Sequence, residues 1–160
     1  MNGPPIYALC AWSGTGKTTY LERLIPLLTA RGVRVGVIKH DGHDFEPDHP
    51  GKDSWRYARS GAAVTVVASA TTAAVVEYRP LDPWALYERV RDVDLILAEG
   101  FKTGPWPKIC LARGESPMAV EPGGCVAIVA DRPTDAPCPV FPLDDPEALA
   151  QWLVEKERLQ

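Results

Sequence analysis

Several short runs of this chain are almost purely apolar, and helical periodicity fills the spaces between them. Ile6-Tyr7-Ala8-Leu9-Cys10-Ala11 follows two prolines and reads as a strand covered on both faces. Val33 to Ile38, ending at Lys39-His40, reads as a second strand, and Asp94-Leu95-Ile96-Leu97-Ala98-Glu99 as a buried strand closing on an acid. Lys108 to Arg113 and Cys125 to Ala130 add two more. Between the first two strands, Leu21, Leu24, Ile25 and Leu28 fall on one face of a helix from Thr18 to Arg31. Gly32 supplies its stop, and Pro26 within it predicts a kink.

The middle of the chain is less regular. Residues 41–52 are polar and rich in Gly, His and Pro, the composition of a loop. A short helix is expected from Asp53 or Ser54 to Gly61, then a strand over Val64–Ala68 with Ala73–Tyr78 as neighbour or hairpin partner. Asp82-Pro83 and Asp145-Pro146 each place a capping side chain before a proline at the first helical position. They predict helices to about Arg91 and to the C-terminus. Strands alternating with helices predict an α/β fold, a mainly parallel sheet flanked by helices on both faces. No repeat or boundary divides the sequence, so residues 1–160 read as one domain.

Composition narrows this picture. At 160 residues the chain can build such a sheet, and 46% apolar residues is ordinary for a globular protein. The net charge of −4 provides no broad basic surface, which argues against nucleic acid as a partner. No apolar stretch approaches membrane-span length, and no basic n-region or apolar h-region opens the chain. Cys10, Cys110, Cys125 and Cys138 contain no Cys-x-x-Cys pair and read as free thiols rather than a zinc or disulfide set. A cytoplasmic location is expected. Sixteen prolines are many for this length; half of them gather at 4–5, 105–107 and 133–142, where they read as loop punctuation.

The chemistry centres on Ala11-Trp12-Ser13-Gly14-Thr15-Gly16-Lys17-Thr18, a phosphate-loop (P-loop) pattern with Ala11 where the first glycine usually stands. Ala11 implies only that this position needs no positive φ. Gly14 and Gly16 allow the tight turn that points successive N–H groups at an anion, and the following helix adds its positive end. Lys17 is expected on the β and γ phosphates, the Thr18 hydroxyl on Mg²⁺, and Thr19 on the α phosphate. The nucleotide-binding set is Ser13, Gly14, Thr15, Gly16, Lys17, Thr18 and Thr19, in a P-loop NTPase fold. Some related loops carry an extra lysine near the first glycine; positions 11–15 contain none.

Ala-Trp-Ser-Gly-Thr-Gly-Lys-Thr-Thr (11–19), Ile-Lys-His-Asp-Gly-His-Asp (38–44), Pro-Gly-Lys-Asp-Ser (50–54), Ser-Gly-Ala-Ala (60–63) and Asp-Leu-Ile-Leu-Ala-Glu-Gly-Phe-Lys (94–102) occur in this order. Together they resemble the molybdopterin-guanine dinucleotide biosynthesis protein B (MobB) family, from residue 6 to about 131. The resemblance implies a GTP-binding fold, weak GTPase activity, a homodimer, and support for the guanylyltransferase that joins GMP to a molybdopterin-type cofactor. The loop by itself is equally compatible with an ATP-using small-molecule kinase, although no arginine-rich lid is present.

Further candidates surround the loop. Glu99, at the end of a buried strand, stands where a Mg²⁺-holding acid belongs; Asp94, at that strand's start, does not. Asp41 is either a second acidic group acting on Mg²⁺ or on the attacking water, or a turn residue before Gly42. Lys17, Asp41 and Glu99 make up the catalytic set. His40, His43, Asp44, Asp48 and His49 are a dense cluster open to three readings: a metal site of a metal-insertion GTPase, recognition of an anionic cofactor, or a solvated loop. Lys39, Lys52, Lys102 and Lys108, with His40 and His43, are candidates for a second phosphorylated ligand. Asp131 follows a late strand, where the resemblance suggests guanine recognition and the residues alone allow an ordinary turn. The sequence shows no arginine finger or glutamine signature, so hydrolysis is expected to be slow.

Overall fold

A computed structural model describes residues 3–159. In chain order the elements are β1 (Ile6–Cys10), α1 (Lys17–Thr29), β2 (Val35–Lys39), α2 (Asp53–Arg59), β3 (Val64–Ala68), β4 (Ala73–Glu77), α3 (Pro83–Val90), β5 (Leu95–Glu99), β6 (Lys108–Ala112), β7 (Cys125–Ala130), β8 (Val140–Pro142) and α4 (Pro146–Glu157). They fall into two compact units. Asp41–Asp82 forms the smaller, and the chain before and after it forms the larger. No shift in composition marks either junction.

The larger unit is built on a six-stranded sheet in the order β2-β5-β1-β6-β7-β8. Every pairing in it is parallel. All five residues of β1 are buried, as its unbroken apolar run requires of a central strand. Its side chains divide by parity. Tyr7, Leu9 and Ala11 join Tyr20, Leu21, Leu24 and Leu28 of α1 and Leu149, Ala150 and Leu153 of α4 in one core. Ile6, Ala8 and Cys10 face the other way, onto Ile38, Tyr87 of α3 and Trp106. The chain leaves β1 toward β2 on one side and leaves β6 toward β7 on the other. That reversal opens a crevice at the carboxyl end of β1.

α1 runs as one helix through Pro26. The carbonyl that Pro26 leaves without an N–H donor belongs to Glu22, four residues earlier on the solvent-facing side, where water can satisfy it. The helix ends at Thr29, and the chain turns away from it at Gly32, left-handed at φ 82°, with the Val33 N–H donating to Leu28 O at 3.2 Å. At α4 the expected cap is in place: the Asp145 Oδ1 accepts from the Glu147 N–H at 3.1 Å.

One strand departs from the sequence reading. Residues 133–142 are not all loop: Val140–Pro142 is β8, pairing with Ile128–Ala130. An edge strand needs hydrogen bonds on one side only, so a proline can close it. In the smaller unit, β3 and β4 form the expected antiparallel hairpin, with Val64 opposite Glu77 and Ala68 opposite Ala73.

Candidate functional site

The loop between β1 and α1 leaves the centre of the sheet at the crevice. Gly14 at φ 79° and Gly16 at φ 95° take the left-handed conformations that the turn demands, and Ala11 does not. Gly16 caps α1 without a side-chain bond, so the first N–H groups of the helix stay directed at the loop. The Thr15 hydroxyl donates to Trp12 O at 2.9 Å and closes the turn internally. Lys17 Nζ reaches back to the carbonyls of Ala11 (3.3 Å) and Trp12 (3.5 Å). Ser13, Thr18 and Thr19 are exposed.

The two residues expected at Mg²⁺ meet. Thr18 Oγ1 donates to Glu99 Oε1 at 3.2 Å. Adjacent oxygens around an octahedral Mg²⁺ stand about 3 Å apart, given metal–oxygen distances of about 2.1 Å. The pair therefore fits two neighbouring positions of such an ion, leaving the rest for phosphate and water. Glu99 comes to Thr18 because β1 and β5 are in register, Leu9 opposite Glu99. Asp94 has the structural role its position suggests. Its Oδ2 accepts from the Arg34 N–H at 2.8 Å and its Oδ1 from the Arg34 guanidinium at 3.3 Å. Those bonds, the backbone N–H foremost, hold its carboxyl below the usual range.

Beyond Glu99 the backbone is unusual. Gly100 at φ 95° is followed by Phe101 at φ 54°, one of two non-glycine residues with positive φ among those described. Phe101 costs about 1–2 kcal/mol in that conformation. Its ring is held by His40, edge-on at 5.1 Å, and by Trp106 at 4.6 Å. The Cys10 thiol donates to Gly100 O at 3.2 Å, and burial pushes this thiol up to about 11, so it stays protonated and inert. The turn carries Lys102 to the loop, with its Nζ 3.8 Å from the centre of the Trp12 ring. Trp12 is 47% exposed, so this cation–π contact is worth about 0.5–1 kcal/mol.

On the other side of β1, Arg113 follows β6. Its Nε donates to Thr15 O at 3.0 Å, and a Cβ on Gly16 would lie 3.3 Å from its guanidinium. The next N–H, of Gly114, donates to both carboxylate oxygens of Asp131, at 2.9 and 3.0 Å. Residues 113–114 thus link the phosphate loop to Asp131 at the end of β7. Sequence reasoning did not single out Arg113 or Trp12. An arginine ending a strand beside β1 is a signal for the first, and nothing in the sequence announces the second.

The remaining candidates separate. Lys39 ends β2 opposite Glu99, and His40 packs on Phe101 with its N–H on Glu99 O at 3.0 Å. Lys108 is not available to a ligand: its Nζ donates to the carbonyls of Gly104, at 2.6 Å, and Trp106. It starts β6 rather than ending it, so its charge serves the preceding loop. Asp41, His43 and Lys52 belong to the smaller unit. There Asp41 Oδ1 accepts from the His43 N–H at 3.4 Å, a local turn, and Lys52 stands at the N-cap position of α2 without a side-chain bond to it. Asp48 accepts from the His49 N–H at 2.8 Å, and a bond from Ser54 together with this one lowers its pKa. Among the described residues no group of three His, Cys, Asp or Glu side chains is arranged to hold a metal ion.

A parallel sheet with a glycine-turned loop at its central strand and an acid at the end of the neighbouring one defines an α/β protein of the P-loop NTPase fold. Residues 6–131 match the profile of Molybdopterin guanine dinucleotide synthesis protein B, MobB. The chain belongs to this family. It is 43% identical to the molybdopterin-guanine dinucleotide biosynthesis adapter protein of Escherichia coli K12, over 94% of this chain and 92% of that one. It is 34% identical to the probable adapter protein of Bacillus subtilis 168, over 91% and 89%. Among solved structures, a crystal structure of Bacillus subtilis MobB superimposes with a TM-score of 0.77 at 31% identity, covering 95% of this chain and 97% of that one.

Proposed function

We propose that this chain is a GTP-binding adapter in the formation of molybdopterin guanine dinucleotide. GTP binds with Mg²⁺ at the β1–α1 loop, and the protein supports a guanylyltransferase that transfers GMP to the molybdopterin-type cofactor. The observation that carries the reading is the Thr18–Glu99 contact beneath a glycine-turned loop with Lys17 at its end. Lys17 would hold the β and γ phosphates, the N–H groups around Gly14 and Gly16 would cradle them, and Thr18 with Glu99 would hold Mg²⁺. Held by Thr18 and Glu99, Mg²⁺ would supply positive charge to offset that of the phosphates. Asp131 would read guanine after exchanging its bond to Gly114. Hydrolysis is slow in this reading, since the sequence carries no arginine finger or glutamine signature. Lys39 lies beside the crevice and suits an anionic cofactor; His40 adds a polar edge there.

The same reading includes a homodimer. In the smaller unit the two-stranded hairpin exposes Val64, Val66, Val67 and Val75, each at least 48% accessible. An isolated two-stranded hairpin is marginal in water, and so much β-branched apolar surface fits an interface between copies. Among the described residues no helix is long and apolar enough to cross a membrane, and the four cysteines are free thiols, which suits the cytoplasm.

Calorimetric titration with GTP and ATP, each with and without Mg²⁺, tests the assignment. Mg²⁺-dependent binding with GTP preferred is the expected result. Preference for ATP, or none, would move the chain toward a small-molecule kinase.

A further inference from the structure

Two lysine side chains from distant parts of the sequence converge on one residue of the phosphate loop. Lys17 Nζ lies on the Trp12 carbonyl and Lys102 Nζ over the Trp12 ring. An anion seated beside that residue would have both ammonium groups within reach. The route by which Lys102 arrives is also specific. It depends on Gly100 and Phe101 being left-handed in succession, with Phe101 clamped between His40 and Trp106. Strain maintained by that much packing marks a position with a use.

The charge balance points the same way. A nucleoside triphosphate carries more negative charge than one Mg²⁺ and one lysine offset. The loop itself, residues 11–15, has no second lysine. We infer that Lys102 is the second phosphate cation of the site, supplied by the β5 end instead of the loop and held on the Trp12 indole until a triphosphate arrives. Its weak ring contact is exchanged for a charge-assisted bond to the γ phosphate, which a diphosphate lacks. The class of ligand it selects is therefore a nucleoside triphosphate over the diphosphate. Trp12 reports the exchange, because its ring loses the cation. This inference rests on the nucleotide-binding reading above.

The test is titration of the full-length wild type, Lys102→Gln and Lys102→Arg with Mg·GTP and Mg·GDP by calorimetry, with tryptophan emission followed in parallel. Lys102→Gln is expected to weaken GTP by about tenfold or more, the worth of one charge-assisted bond, while GDP changes by less than about twofold. Lys102→Arg should restore most of the GTP affinity. Wild type should show an emission change with Mg·GTP that is absent with Mg·GDP, absent in Lys102→Gln and absent in Trp12→Phe. Equal weakening of both nucleotides, or of neither, overturns the inference while leaving nucleotide binding intact. Wild type that binds neither nucleotide overturns both readings.

Discussion

The Thr18 hydroxyl and the Glu99 carboxylate, 81 positions apart in sequence, are joined by a hydrogen bond of 3.2 Å. The bond spans from the first turn of α1 to the last residue of β5. Replacing Glu99 by Gln keeps its size and removes its charge. The variant is expected to lose the Mg²⁺-dependent part of GTP affinity, by about tenfold or more, and to bind no more tightly with Mg²⁺ than without it. Isothermal titration at fixed nucleotide and varied Mg²⁺ measures this. An unchanged Mg²⁺ response would remove Glu99 from the metal.

Lys17→Ala separates binding from folding. Its Nζ contacts only two loop carbonyls among the partners described, so the far-ultraviolet circular dichroism should match the wild type. GTP binding should fall below detection in the same titration. A dissociation constant within a few-fold of wild type would place the triphosphate elsewhere.

Asp131→Ala tests the base side. Asp131 grips Gly114 N–H, and Arg113 on the same dipeptide grips the phosphate loop. The substitution is expected to abolish the preference for GTP over ATP and to leave the Mg²⁺ response in place. Retained guanine preference in competition binding would assign the carboxylate to the turn alone.

Leu9 is fully buried in β1, facing α1 and α4. Leu9→Ala removes core volume under the phosphate loop and should cost about 2–5 kcal/mol. Urea denaturation should show a lower midpoint at an unchanged slope.

Asp94 provides a test in acid. Its carboxyl is held below the usual range by the Arg34 N–H first and the Arg34 guanidinium second. A depressed folded-state pKa means that the stabilisation is fully present above the unfolded value, about 3.9, and is lost as pH falls through the folded one. Asp94→Asn should lower stability at neutral pH and flatten the decline below about pH 4. Thermal melts of both proteins across pH 3–7 read the difference.

What was legible in the sequence follows the physics of burial. β1, β5 and β7 carry unbroken apolar runs because parallel strands are covered on both faces, so their positions could be read directly. The glycine loop and Glu99 were legible for the same reason, since each is attached to such a strand. β8 was hidden because a three-residue edge strand bounded by Pro139 and Pro142 has the composition of a loop. Lys108 was read correctly as the start of β6, but its charge is turned onto the carbonyls of Gly104 and Trp106, contacts that apolar periodicity does not reveal. The convergence of Lys102 on Trp12, and of Arg113 on Thr15, depends on strand order. Periodicity says where strands are, not which become neighbours.

The central place of β1 has a consequence during synthesis. Its partners are β5 and β6, so β1 waits for residue 112 before both its edges are paired. Long-range parallel pairing of this kind is slow to form. A nascent chain therefore exposes an apolar strand and an unshaped loop until β5 and β6 have followed it, and it gains affinity for nucleotide only after that. Ligand added during translation should rescue folding late or not at all, and a chain truncated before β6 should leave its first strand free to pair with other molecules.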